Sequence, residues 1–166
     1  GRPNLAVESY KKAIALLPNY LGAHNNLGNA LKKIGRLEEA VISYQNAIAI
    51  KPDYAEAYNN LGITFMSLER LDEAVKSYEM AISINSEYFD AHFNLGNAFS
   101  NKAARSVDKR RQKALKSYRD AYKIRPNADY ILGNMLFAMI HLCYWGGLSG
   151  HLKDLIKKIN NDQKTT

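Results

Sequence analysis

The sequence has 166 residues, 46 % hydrophobic and 23 % charged, with a formal net charge of +7 at pH 7. That size fits one globular domain or one short repeat array, and the composition excludes a disordered chain. No apolar run reaches the roughly 18 residues of a membrane span, and Cys143, the only cysteine, excludes an internal disulfide and suits the cytoplasm.

No charged n-region followed by an apolar h-region opens the chain, so no signal peptide is expected. With no initiator methionine, the sequence reads as a fragment or a processed chain. The first expected element is a helix over residues 4–16, part of a half unit (4–20) closed by Pro18. Nothing precedes it in the chain, so its apolar side is left to cover itself by self-association.

A unit of 34 residues follows. Residues 21–54 and 55–88 make two copies without a gap, and residues 89–128 make a third that is six residues longer, the surplus lying in "NKAARSVDKRRQK". The first half of each unit carries Leu-Gly: Leu27-Gly28, Leu61-Gly62 and Leu95-Gly96. The second half carries Ala-x-x-x-Tyr, as Ala40 and Tyr44, Ala74 and Tyr78, and Ala114 and Tyr118; Ala6 and Tyr10 repeat it in the half unit. Alanines follow at Ala13, Ala47, Ala81 and Ala121. Small and large residues three and four apart form one face of an α-helix. A glycine inside a helix costs roughly 1 kcal/mol relative to alanine, so its return at a fixed spacing predicts a close helix crossing. Glu38-Glu39 and Asp72-Glu73 suit the positive end of the second helix. Lys51 or Arg125 suits the negative end, and Pro52 or Pro126 stops the helix. The other tyrosines at repeat positions read as core.

Residues 129–166 keep helical spacing but lose both signatures. "ADYILGNMLFAMIHLCYW" reads as one helix, "GGLSG" as a turn and "HLKDLIKKI" as a second helix, a capping or transition pair ahead of a polar tail.

A helix–turn–helix unit of this length with L-G, then A-x-x-x-Y, then P resembles the tetratricopeptide repeat. The resemblance covers residues 4–128. It implies an all-α, right-handed superhelical solenoid with a concave groove, because one hairpin cannot bury its own apolar face and must stack on its neighbours.

Within this frame one polar residue recurs. Asn26, Asn60 and Asn94 are each the sixth residue of a unit, and Asn134 takes that place in the terminal pair. Asparagine is a poor helix former. An amide has two donors and an acceptor, so a row of them on the inner helices could hold the backbone of an extended polypeptide whatever its side chains. The competing reading is that the same amides tie neighbouring helices together. Asn25, Asn29, Asn59, Asn97, Lys32 and Lys33 are further candidates for the groove. Tetratricopeptide repeats that grip a chain-terminal carboxylate have lysine at the fifth place. Here it holds Asn25, Asn59, Phe93 and Gly133, so no such clamp is expected.

The segment "YILGNMLFAMIHLCYWGGLSGHLKDLIKKI" looks like the stretch that joins repeats to catalysis in O-GlcNAc-transferase-like (SPINDLY-type) glycosyltransferases. It holds the Leu-Cys-x-Trp element as Leu142-Cys143-Tyr144-Trp145, with tyrosine where that family usually has aspartate. The resemblance implies that the repeats recruit a polypeptide acceptor for a separate UDP-GlcNAc-dependent region, so this chain itself should not transfer sugar. The alternative is a stand-alone adaptor that assembles a multiprotein complex.

Other chemistries find little support. The four histidines meet no zinc-ligand spacing, no base is positioned for Cys143, and there is no phosphate-binding glycine loop, so no metal or cofactor is expected. Ten basic residues against Asp108 and Asp120 give residues 102–125 a local charge of +8. Aromatics are not interleaved with them, so nucleic acid is an unlikely partner, and a solvated helix face or an acidic partner fits better.

Overall fold

The computed structural model describes residues 3–100 and 107–141. Among them are eight α-helices and no strand: α1 (Pro3–Leu16), α2 (Leu21–Lys33), α3 (Leu37–Ile50), α4 (Ala55–Ser67), α5 (Leu71–Ile84), α6 (Phe89–Ser100), α7 (Val107–Ile124) and α8 (Asp129–His141). The chain divides into two units, residues 1–91 and 92–166.

In the first unit α1 packs on α2, α2 on α3, α3 on α4 and α4 on α5. The pairs α2–α3 and α4–α5 are the helical hairpins expected from the 34-residue period. Their turns share one device. Arg36 N–H bonds the Leu31 carbonyl (3.0 Å) and Gly35 N–H bonds that of Lys32 (3.1 Å), while Gly35 takes φ 80°. This is the left-handed helix ending that glycine favours. Arg70, Phe65, Glu69 and Met66 repeat the two bonds, but Glu69 holds a φ of 59° with a side chain on it. At the far end α3 stops because Lys51 is extended ahead of Pro52. Asn85 is extended in the same way after α5, so Ser86 takes the proline's place without changing the ending.

The core of each hairpin is a tyrosine ring laid on a glycine. Tyr44 and Tyr78 are 0 % and 2 % exposed. A Cβ added to Gly28 or Gly62 would lie 2.6 Å from Cε1 of Tyr44 or Tyr78, closer than real Cβ contacts come. The expected close crossing is thus present. Each buried aromatic adds about 1.5–3 kcal/mol of burial, which outweighs the helix cost of its glycine.

The first helix is not wholly unpartnered. Val7 is buried and α1 packs on α2, but Leu5, Leu16 and Leu17 stay exposed. In the second unit Tyr118 closes on Gly96 as in the first, and Ile131, Leu132, Met135 and Leu136 are buried in α8, which packs on α7. Part of the six-residue surplus is helical: α7 has 18 residues where α3 and α5 have 14. The Leu142–Trp145 element, the GGLSG turn and the expected last helix lie outside the described residues.

Candidate functional site

The neighbours Asn25 and Asn26 have opposite surroundings, since consecutive helical residues point about 100° apart. Asn25 is 3 % exposed. Its Nδ2 donates to Glu56 Oε1 on α4 (3.1 Å), and its Oδ1 accepts from Asn60 Nδ2 (3.4 Å). Asn59 is also buried. Asn25 and Asn59 are thus both buried in the first unit, and Asn25 joins α2 to α4.

Asn29 and Asn97 are likewise engaged within their hairpins. The hydroxyl of Tyr44 donates to Asn29 Oδ1 (2.8 Å) and that of Tyr118 to Asn97 Oδ1 (2.9 Å). Each amide positions the buried tyrosine below its Leu-Gly turn of helix. Ile63 stands at the equivalent place opposite Tyr78, where no such bond forms.

Asn26 is exposed and has no hydrogen-bond partner among the described residues. Asn60 is half-buried on α4. In the second unit Asn94 and Asn134 are half-buried on α6 and α8. Lys33 is exposed, whereas Lys32 is half-buried and burial holds its ammonium below the usual lysine range.

A second recurring set was not singled out in the sequence. Tyr20, Tyr54 and Tyr88 each stand just before the first helix of a unit, 34 residues apart, and are exposed or half-buried rather than core. The Tyr54 hydroxyl donates to Glu56 Oε2 (3.3 Å), and Lys51 Nζ lies 5.9 Å from the centre of its ring. Burial, then the nearby Asp90 and Glu56 carboxylates, push the Tyr88 hydroxyl up. The signal that could have found this set is its period, read together with its place outside the A-x-x-x-Y motif.

Two other features complete the surface. A pocket of about 260 Å³ opens between α1, α2 and α3. His24, Leu31 and Asn46 line it where the next repeat has the bulkier Tyr58, Phe65 and Met80. The basic segment forms an exposed stripe on α7, with Lys109, Lys113, Lys116 and Lys123 on one side; Lys113 lies over the Phe99 ring (5.3 Å) and Lys123 pairs with Asp120 (3.2 Å). Among the described residues no three His, Cys, Asp or Glu side chains group as metal ligands would, and no helix is long and apolar enough to cross a membrane.

Helical hairpins of 34 residues, each closed by a tyrosine on a glycine and stacked on the next, define a helical-repeat protein. The chain belongs to the TPR repeat family, whose model matches residues 1–35, 28–69 and 64–102. Comparison with curated protein sequences finds no match. Among solved structures it is similar to a crystal structure of MamA protein, with a TM-score of 0.84, 22 % identity, and coverage of 99 % of this chain and 86 % of that one. A second crystal structure of MamA gives 0.82 at 22 % identity over 95 % and 89 %. MamA from residue 41 to its end, from Desulfovibrio magneticus RS-1, gives 0.81 at 16 % identity over 97 % and 88 %. At these identities the likeness is one of fold. No comparison supports the glycosyltransferase resemblance.

Proposed function

We propose that this chain is a protein-interaction scaffold that holds an extended polypeptide along the first helices of its repeats, with a repeat array over 1–128 and a capping pair over 129–166. The observation that carries this reading is the contrast between Asn25 and Asn26. Asn25 is spent on joining helices, whereas the adjacent amide is exposed and unpartnered. An exposed amide at a helix-interior place adds nothing to the helix and is suited to bond a polypeptide backbone. Asn60 extends the row in the first unit; Asn94 and Asn134 offer the same chemistry in the second. Lys33 supplies an adjacent donor.

Recruitment for a glycosyltransferase region is the finer form of this reading. It rests on residues 130–159, of which only 130–141 are described, so binding without transfer is the function proposed for this chain. Exposed Leu5, Leu16 and Leu17 support association of a second copy at α1, which sedimentation at rising concentration would detect.

A peptide-array screen followed by titration tests the groove. Asn26→Ala with Asn60→Ala should weaken the selected peptide about thirtyfold, two hydrogen bonds at about 1 kcal/mol each, with helicity by circular dichroism retained. Unchanged affinity would remove the amides from the reading.

A further inference from the structure

We propose that the polypeptide taken by this chain carries prolines three residues apart where it crosses the second unit, held there between Tyr130 and Phe137 on α8. This rests on the polypeptide-binding reading and adds the class of ligand.

One face of α8 differs from the faces it repeats. Tyr130, Gly133, Asn134 and Phe137 follow the spacing i, i+3, i+4 and i+7, so they share one side of the helix. Tyr130 and Phe137 are 53 % and 55 % exposed. At the place of Tyr130 the earlier units have Gly22, Glu56 and Asp90, and at that of Phe137 they have Asn29, Ile63 and Asn97. Only α8 has an aromatic residue at either place. Phe93 of α6 meets the Tyr130 ring edge to face, with centroids 4.9 Å apart, which braces that ring and still leaves half of the residue exposed.

Two observations point to a ligand between the rings. The first is Gly133. Gly28, Gly62 and Gly96 each lie under a tyrosine ring, whereas nothing comes within 4 Å of a Cβ built on Gly133. A glycine inside a helix costs roughly 1 kcal/mol relative to alanine, and no such ring offsets the cost here. The missing side chain leaves a notch floored by backbone, where another chain can come close. The second is Asn134, beside Gly133 in the same gap. Its amide is half-buried and has no hydrogen-bond partner among the described residues. Partial burial costs such a group some of its water, and an acceptor on a ligand would restore the bond.

Spacing selects the ligand. Seven residues of α-helix separate Tyr130 from Phe137 by about 10.5 Å along the axis. In a polyproline II segment, residues three apart lie on one side and about 9.3 Å apart. Two prolines at that spacing set one ring on Tyr130 and the other on Phe137, and the backbone between them passes over Gly133. Such a segment makes no internal hydrogen bonds, so a carbonyl between the prolines is open to the Asn134 Nδ2 donor. An amphipathic helix is the competing occupant, since its apolar residues seven apart also span about 10.5 Å. Its carbonyls are spent within the helix, and the Asn134 amide would stay unsatisfied.

The test uses a fluorescein-labelled peptide of four Pro-Ser-Ser triplets, and a twin of the same composition with its four prolines two apart. Both are titrated by anisotropy into the whole chain. The twin sets no two prolines on one side at the spacing of the rings. The wild type should bind the triplet peptide about fivefold tighter, through the second ring contact. Tyr130→Ala with Phe137→Ala, both at exposed residues, should abolish the preference. Gly133→Ala should raise the urea midpoint yet weaken the triplet peptide severalfold by putting a methyl group in the notch, which a merely structural glycine would not do. Equal binding of the two peptides by the wild type, a preference that survives in the aromatic double variant, or full affinity in Gly133→Ala overturns the proposal. If the preference is absent but Asn26→Ala with Asn60→Ala still weakens the peptide selected from the array, only the proline assignment fails. If that variant changes nothing either, the groove reading fails with it.

Discussion

The ring of Tyr78 lies so close over Gly62 that an added Cβ would sit 2.6 Å from the ring carbon Cε1. Tyr78 is 2 % exposed, and its neighbours leave the ring nowhere to move. Gly62→Ala should therefore destabilise by about 1–3 kcal/mol through overpacking, although alanine favours the helix by about 1 kcal/mol; Gly62→Leu should cost at least as much. Gly133 is the control. It lies within α8, and nothing comes within 4 Å of a Cβ there, so Gly133→Ala should gain up to about 1 kcal/mol. Urea midpoints decide between them, and a stabilised Gly62→Ala would refute the close-crossing account.

The hairpins were legible because this relation recurs. A glycine and a tyrosine 16 apart in two successive units, and 22 apart in the longer third, constrain two helices at once, and no single-helix pattern does that. The proposed binding face was less legible. Asn25 and Asn26 are one residue type at adjacent places, and only the rotation of α2 decides which is buried against α4. Tyr20, Tyr54 and Tyr88 share their residue type with the tyrosines that pack the motif, so type alone does not set them apart. Their exposure follows from where the chain leaves one hairpin and enters the next, which residue type does not encode. The Leu142–Trp145 element, which carried the enzyme resemblance, lies outside the described residues.

That rotation gives a measurable contrast. Asn25→Ala should cost about 1–2 kcal/mol, because it leaves the half-buried Asn60 Nδ2 without its partner and Glu56 with only the Tyr54 hydroxyl. Asn26→Ala should leave stability unchanged or raise it by up to about 0.7 kcal/mol, alanine being the better helix former. Thermal melts of the two single variants suffice. Equal destabilisation would mean that Asn26 is a structural tie as well, and would remove the main support for its role in binding.

The two hairpin turns offer an exchange. Gly35 and Glu69 hold φ of 80° and 59° at equivalent places. A side chain in this conformation costs about 1–2 kcal/mol. Gly35→Ala should lose about 1 kcal/mol although no atom lies within 4 Å of the new Cβ. Glu69→Asn should gain several tenths of a kcal/mol, since asparagine tolerates the left-handed region. Denaturant midpoints with unchanged slopes would attribute both effects to the turn; a neutral Gly35→Ala would show that the turn relaxes out of the left-handed region.

Alkaline pH should loosen the fold through the buried tyrosines. Burial pushes the hydroxyls of Tyr44, Tyr78 and Tyr118 well above their ordinary value, about 10 in an unfolded chain. The folded state thus favours the protonated phenol, and the unfolded state sheds its protons first as pH rises. The stabilisation is complete below about pH 10 and is lost as pH climbs toward the folded values. Urea unfolding from pH 8 to 11 should show stability falling above pH 10, with a shallower fall in Tyr78→Phe. That variant should also be near neutral at pH 7, because its hydroxyl makes no hydrogen bond among the described residues. Tyr44→Phe strips Asn29 Oδ1 of its donor and should cost about 1 kcal/mol at pH 7. An alkaline slope unaltered in Tyr78→Phe would place the titrating group elsewhere.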